Sequence, residues 1–292
     1  MASKVKRRSH VTWLMPTVTC LQFFLPRWLV LPLARLGGRL SYRFSHKQRE
    51  RVLKNLRHIL GAEASERELE RTARRTFERL VVGYADMLRA PVLKRRAATF
   101  GVLDLTNLDR ALASGKGAIL VTGHIGNWDL AGVFLSALGY PLSAVVEPIP
   151  AGWTKTFNRY RCLTEMEAIP IPERRAIASA IQRRRILTLV ADRDLTGNGI
   201  VCPAFDAKRA FPKGPAAYAL KYKLPVVIGY FVFADQKGKP PYYAQIDPAI
   251  DFKPSGNMTK DISDFTHIIA DSLNEVIGRY PDQWLAFRAD WQ

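Results

Sequence analysis

Short apolar runs rich in β-branched residues alternate with helical segments through most of this 292-residue chain. The clearest run, Ala118–Thr122, lies between two glycines and is typical of a strand that is buried on both faces. A glycine-rich turn over 123–127 follows it, and the pattern over 128–138 then predicts a helix. This alternation predicts an α/β fold in which a mixed, mostly parallel central sheet is flanked by helices.

The same patterns predict the remaining elements. Further strands are expected over 142–146, 186–191, 226–233 and 242–246. Further helices are expected over 46–60, 65–88, 107–113, 155–166, 174–185, 211–222 after Pro215, and 259–279. Ser65 stands three residues before Glu68, which is the spacing of a capping box. Because no linker composition interrupts these elements, we expect a single α/β domain over 46–292.

The first 45 residues combine basic side chains with an apolar stretch. Glu50 is the only acid up to Lys54, and the stretch over 11–34 is rich in Leu, Phe, Trp and Val. Its longest uncharged run, 11–25, is shorter than the roughly 20 residues of a spanning helix. Basic residues on both flanks favour a cytoplasmic position for both ends. We therefore expect 1–45 to be a hydrophobic, amphipathic membrane anchor, and whether it spans or lies in the interface stays open.

The formal net charge of +18 indicates an anionic partner, namely nucleic acid, anionic lipid or an acidic carrier protein. The chain has no zinc-finger spacing, RNA-recognition signature or obvious helix-turn-helix, so nucleic acid is not expected. Cys20, Cys162 and Cys202 stand far apart without metal-type spacing, which favours reduced thiols facing the cytosol and no metal site.

A histidine and two aspartates lie at predicted strand ends. His124 and Asp129 could meet only through a turn, because positions five apart on a continuous helix are separated by about 140°. Asn127 is a suitable N-cap, which places Asp129 in the first turn of the following helix. Asp192 follows another buried strand and could reach the same edge of the sheet. A histidine backed by a carboxylate is the arrangement of a general base, and either aspartate is a candidate partner.

Four sequence blocks resemble, in order, the bacterial late lipid A acyltransferases and phosphatidylinositol mannoside acyltransferases of the lysophospholipid acyltransferase superfamily. The first block runs from Gly123 to Gly132 and contains the His-x-x-x-x-Asp motif. The others are Ala191-Asp-Arg-Asp-Leu195, Phe211-Pro-Lys-Gly-Pro-Ala216, and Tyr280-Pro-Asp-Gln-Trp284 with Phe287-Arg288. The resemblance covers essentially the whole chain, and four blocks in order are far more specific than one motif.

The resemblance implies direct transfer of an acyl chain from acyl-carrier protein or acyl-coenzyme A to a hydroxyl, with no cofactor. The absence of a Gly-x-Ser-x-Gly elbow also argues against a covalent acyl-enzyme. The predicted catalytic residues are His124, Asp129 and Asp192. The predicted substrate-binding residues are Asn127, Glu147, Arg159, Arg193, Asp194 and Lys213.

The expected function is membrane-associated O-acylation of a glycolipid at the cytoplasmic face of the bacterial inner membrane. Lipid A biosynthesis is the first expectation for the acceptor. Phosphatidylinositol mannoside or another glycolipid or phospholipid is the alternative within the enzyme class. The alternative outside that class is a catalytically silent, lipid-binding relative, in which the basic anchor would matter and His124 would not.

Overall fold

Seven strands form a central sheet in the computed structural model, which describes residues 25–147, 164–235 and 240–292. The strands of this sheet are β1 (Gly101–Asp104), β2 (Ala118–Thr122), β3 (Leu142–Val146), β4 (Glu167–Pro170), β5 (Ile186–Val190), β8 (Val226–Phe233) and β9 (Tyr242–Ile246). A separate antiparallel hairpin comprises β6 (Ile200–Ala204) and β7 (Ala207–Phe211).

Helices precede, connect and follow these strands. In the described residues they are α1 (Arg27–Phe44), α2 (His46–Leu60), α3 (Glu66–Leu88), α4 (Ala90–Leu93), α5 (Ala97–Phe100), α6 (Thr106–Leu112), α7 (Trp128–Ala137), α8 (Arg174–Gln182), α9 (Gly214–Tyr222) and α10 (Met258–Arg279). Short 3₁₀ turns occupy Lys94–Arg96 and Pro281–Gln283.

The strand order is β1-β9-β8-β2-β5-β3-β4. Strands β8, β2, β5, β3 and β4 are mutually parallel, whereas β9 is antiparallel to β8 and parallel to β1. The predicted mixed, mostly parallel sheet flanked by helices is therefore confirmed. Its parallel part places the carboxyl ends of β2 and β5 side by side, with Thr122 opposite Val190.

Both faces of the sheet are covered, as parallel sheets require. On one face, Ile119 and Val121 of β2 pack with residues of α8, α9 and α10. On the other face, Ala118 and Leu120 pack with residues of α6 and α7. The alternation of side chains along a strand divides the β2 run between the two cores, and this explains why the run is apolar throughout.

Helices α1, α2 and α3 pack together and have two small clusters of buried apolar residues. Helix α1 buries Val30, Ala34 and Gly38, and a Cβ atom added at Gly38 would lie 2.5 Å from Cα of Glu78 in α3. This close approach fixes α1 against α3. The apolar run over 11–25 lies almost entirely outside the described residues. Among the described residues, no helix combines the length and the apolar character needed to cross a bilayer.

Several predicted boundaries match the structure to the residue, while four strands were not predicted. Ser65 caps α3 by accepting a hydrogen bond from the Glu68 backbone, as expected. Strands β1, β4, β6 and β7 are only four or five residues long. The helix expected over 155–166 falls mainly outside the described residues. Residues 164–166 are not helical, and β4 follows them.

Candidate active site

The turn after β2 and the end of β5 bring His124 and Asp192 together. The turn bends sharply at Gly126, whose φ of +61° is left-handed and whose missing side chain leaves room for the backbone of Phe231. His124 is thereby placed at the carboxyl edge of β2, beside the residue that follows Ala191. Its Nδ1 lies 2.7 Å from Oδ1 of Asp192, and its backbone N–H donates to Oδ2 of the same carboxylate at 3.0 Å.

Asp192 is fully buried, and three groups donate to its carboxylate. The third donor is the indole Nε1 of Trp284, at 2.7 Å from Oδ2. Burial by itself raises the pKa of Asp192, but the nearby His124 ring, the hydrogen bonds from His124 and Trp284, and the charge of Arg209 outweigh it. The pKa of Asp192 is therefore held well below its usual range, and the group is a carboxylate at neutral pH.

This carboxylate determines the tautomer of His124. An ionised carboxylate only accepts hydrogen bonds, so Nδ1 of His124 carries the hydrogen and Nε2 keeps a free lone pair in the neutral ring. The side chain is 23% exposed, and its ring packs edge-on against Trp128 with centroids 5.0 Å apart. The arrangement supplies an oriented base whose conjugate acid faces a compensating charge.

Arg209 supports Asp192 from behind and was not predicted. This residue of β7 is buried, donates through Nη2 to the backbone carbonyl of Asp192, and lies over the rings of Trp284 and Trp291. Burial lowers the pKa of Arg209 to about 10, so the guanidinium stays charged at neutral pH. No local sequence signal indicated this role, because the hairpin that carries Arg209 was itself not predicted.

The C-terminal block runs alongside the histidine turn. The Leu285 backbone N–H donates to the His124 carbonyl at 2.7 Å, and the Gly126 N–H donates to the Gln283 carbonyl at 2.9 Å. These two bonds hold the histidine turn against the segment over 283–285. The block with Trp284 was recognised in the sequence without a role, and the structure shows that it supports both His124 and Asp192.

Asn127 caps helix α7, as predicted, and is only 5% exposed. Its Oδ1 accepts from the Leu130 backbone, while Nδ2 donates to the Gly83 carbonyl and to Oη of Tyr242. The Tyr242 hydroxyl in turn donates to buried Asp86. The protein therefore uses both amide donors of Asn127, which favours a structural role over the substrate contact that the sequence suggested.

Asp129 lies in the first turn of α7, as predicted. Its charge helps to raise the pKa of Tyr84, after the larger effect of burial. The acid at Nδ1 of His124 is Asp192, so the two candidates that the sequence left open differ clearly in geometry.

Arg193 and Asp194 lie near the start of the loop between β5 and β6. The Asp194 carboxylate accepts from the backbone and hydroxyl of Thr196 and from the Gly199 N–H. Despite partial burial, which raises it, the pKa of Asp194 is lowered by these hydrogen bonds. Asp194 thus holds its own loop. Arg193 is half-buried and lines a cavity together with Arg209.

The structure describes two of the three remaining predicted substrate-binding residues, Glu147 and Lys213. Glu147 is exposed directly after β3, at the last described residue before the gap over 148–163. Lys213 is exposed and directly precedes α9. Its backbone carbonyl accepts a hydrogen bond from the Ala217 N–H in the first turn of that helix. Arg159 lies outside the described residues.

A narrow apolar cavity of about 50 Å³ lies beside the dyad, between α7 and the sheet. Thr122 and Trp128 line its end near His124, and Ala131, Gly132 and Leu135 line the α7 side. Gly132 is also closely packed against the segment before β4, because a Cβ atom added there would lie 3.0 Å from Sδ of Met166.

The central sheet and its carboxylate-supported histidine place the protein among α/β enzymes. Residues 3–292 match the family described as bacterial lipid A biosynthesis acyltransferase, and the chain belongs to this family. The phosphatidylinositol mannoside acyltransferase of Mycolicibacterium smegmatis is 27% identical over 252 residues, which cover 83% of this chain and 79% of that protein. The enzyme of the same name from Mycobacterium tuberculosis is 28% identical over 281 residues, covering 91% and 84%. The expected enzyme class, an acyltransferase, is confirmed.

Proposed function

We propose that this acyltransferase moves a fatty acyl chain directly from acyl-carrier protein or acyl-coenzyme A to a hydroxyl of a glycolipid. The observation that carries the proposal is the 2.7 Å contact between His124 Nδ1 and the fully buried carboxylate of Asp192, at the ends of adjacent parallel strands. This contact prepares Nε2 to accept a proton at the open side of the ring.

The reaction follows from this geometry. Nε2 of His124 removes the proton of the acceptor hydroxyl as its oxygen attacks the thioester carbonyl carbon. The carbon–sulfur bond then breaks, and the thiolate leaves and takes the proton back from the imidazolium. Asp192 stabilises the imidazolium in between, while Trp284 and Arg209 hold Asp192 in place. No residue of the protein becomes acylated.

The apolar cavity beside His124 is proposed to receive the acyl chain. Its lining is mostly apolar, and its members with polar side-chain atoms are Thr122, Trp128, Thr188 and Tyr230. The cavity is narrow, so the donor chain would enter it only as the lining side chains move apart.

The acceptor is proposed to be a glycolipid presented at the cytoplasmic face of the bacterial inner membrane. The family description supports lipid A biosynthesis, which is the first candidate. The names of the relatives from the two mycobacteria support a phosphatidylinositol mannoside as the second. The strongly basic chain suits an anionic leaflet and, equally, an acidic carrier protein as donor.

Mass spectrometry of membrane glycolipids tests this proposal. Cells that lack the gene are complemented with wild type, His124→Ala, or His267→Ala, a control whose ring lies within hydrogen-bond distance of the Ser263 carbonyl of α10. We expect one glycolipid to lose a single acyl chain in the deletion, and only wild type and His267→Ala to restore it. The mass shift identifies acceptor class and chain length. Full complementation by His124→Ala would remove the basis of the proposed mechanism.

A further inference from the structure

A pocket lined with arginines lies between α1, α3 and the end of β8, away from the dyad. It has a volume of about 390 Å³. Helix α1 contributes Arg27, Arg35 and Arg39, and helix α3 contributes Arg75 and Arg79. Phosphate oxygens are the ligands that clustered guanidinium groups bind best, because each group offers a planar fork of N–H donors.

The acids in and beside the pocket are already engaged by its arginines. Asp235 and Asp282 each contact both Arg75 and Arg79, at 2.6–3.0 Å. Glu78, which also lines the pocket, contacts one arginine of α1 at 2.7 Å. The carboxylates are thus shared among guanidinium groups that still have unused N–H donors.

Arginines at the rim of the pocket have guanidinium N–H donors that are not engaged by the described acids. Arg35 is exposed and forms no ion pair with any residue that the structure describes. Arg39 is 60% exposed and uses only Nε for its contact with Glu78. An anionic group that approaches the pocket therefore meets free donors on Arg35 and Arg39 before it reaches Arg79, whose side chain is only 10% exposed.

An apolar stripe on α1 runs directly beside this rim. Its members are the exposed Leu33, Leu36, Leu40 and Phe44, the last of which is 71% exposed. Each rim arginine immediately precedes a leucine of the stripe, so the two rows lie about 100° apart around the helix. A helix with an apolar face bordered by arginines is typical of a segment that lies in a membrane interface.

We propose that this pocket binds the phosphate of an anionic lipid headgroup while the stripe of α1 enters the same leaflet. The inference rests on the proposed membrane-surface function, and it assigns one lipid-binding site on the described part of the chain. The occupant is a lipid because the stripe borders the pocket. A soluble phosphate compound would use the arginines and leave the apolar side chains exposed to water.

The test compares Arg35→Gln with Arg43→Gln in the full-length protein. Arg43 lies two turns further along the same row and does not line the pocket, so both variants lose one exposed charge from α1. Binding is measured by co-sedimentation with phosphatidylcholine vesicles that contain phosphatidylglycerol or lack it. General attraction to the anionic surface is worth about fivefold per arginine, which sets the expected effect of Arg43→Gln.

We expect Arg35→Gln to weaken binding to the anionic vesicles by roughly a further tenfold, the worth of a charge-assisted hydrogen bond. Arg35→Lys should recover only part of that loss, because lysine lacks the planar fork. Arg35→Gln and Arg35→Lys should unfold at the wild-type temperature, since Arg35 has no partner to lose among the described residues. Equal losses of vesicle binding for Arg35→Gln and Arg43→Gln would overturn the proposal that the pocket binds a headgroup.

A second arm separates lipid from free phosphate. Inorganic phosphate at millimolar concentration should displace the vesicles only weakly from the wild type. Tight, Arg35-dependent binding of inorganic phosphate without vesicles would overturn the lipid assignment. Since His124→Ala leaves the pocket intact, its vesicle binding should equal that of the wild type. A failed vesicle test is therefore distinct from a failed glycolipid test of the proposed function.

Discussion

Asp192 is a fully buried carboxylate whose charge is maintained by its hydrogen-bond donors rather than by solvent. Its folded-state pKa lies below the ordinary value of about 4. The charged group therefore stabilises the fold at pH values above that ordinary value, and the contribution is lost as the pH falls from there towards the folded-state pKa.

Asp192→Asn should remove this acid-sensitive component of stability. We expect a flatter dependence of the free energy of unfolding on pH between about pH 5 and pH 2 than in the wild type. Chemical denaturation across that range measures the effect. Asp264→Asn, which removes a surface carboxylate paired with Lys260, is the control and should keep the wild-type curve. An unchanged acid slope in Asp192→Asn would contradict the prediction.

The indole of Trp284 has a separate effect that a matched pair of variants can isolate. Trp284→Phe removes the hydrogen bond to Asp192, and Trp291→Phe removes a similar one to Oδ1 of Asn55. The loss should cost about 1 kcal/mol of stability in Trp291→Phe and about 2 kcal/mol in Trp284→Phe, because the acceptor of Trp284 is a charged carboxylate. Only Trp284→Phe should also lower kcat/KM, by roughly tenfold, because it loosens the partner of His124. Comparable kinetics for the two variants would show that Trp284 acts through packing alone.

At the scale of elements, the contact between α1 and α3 depends on one glycine. A Cβ atom at Gly38 would lie 2.5 Å from the Cα of Glu78, whereas one at Gly37 would lie 3.6 Å from Cγ1 of Val81, an ordinary contact. The two neighbouring positions have the same backbone type and differ only in their distance from α3.

Gly38→Ala should therefore destabilise the protein by about 1–3 kcal/mol, because α1 must move away from α3. Gly37→Ala should be neutral or stabilise by up to about 1 kcal/mol through the higher helix propensity of alanine. Denaturant titration of both variants gives the comparison. If both alanines were equally tolerated, α1 would not be held by this contact.

At the scale of the whole molecule, the sequence predicts the central strands well and the edges poorly. Strands β2, β8 and β9 match their predicted bounds to the residue. A strand buried on both faces requires a continuous apolar run, which a single sequence displays. The hairpin β6–β7 has only five residues per strand, and neither strand alternates polar and apolar residues regularly, so periodicity does not distinguish it from a loop.

The candidate site was likewise predicted only in part from the sequence. The sequence identified His124 and both candidate acids, because glycines and strand ends mark them locally. Geometry was needed to find that Asp192 is the contact, and that Arg209 and Trp284 support it. The contacts of Asp192 with His124, Trp284 and Arg209 join residues 68, 92 and 17 positions apart, and no local pattern encodes a distance between such segments.

The pairing of the segment over 283–285 with the histidine turn also bears on how the molecule reaches its active state. Contacts between segments so far apart in the chain form late, because each must first overcome the entropy of closing a long loop. The helices and the βαβ units around β2 and β5 have shorter loops to close. During refolding, the far-ultraviolet circular dichroism signal should therefore recover before catalytic activity does. The last kinetic phase should report the pairing of the segment over 283–285 with the histidine turn.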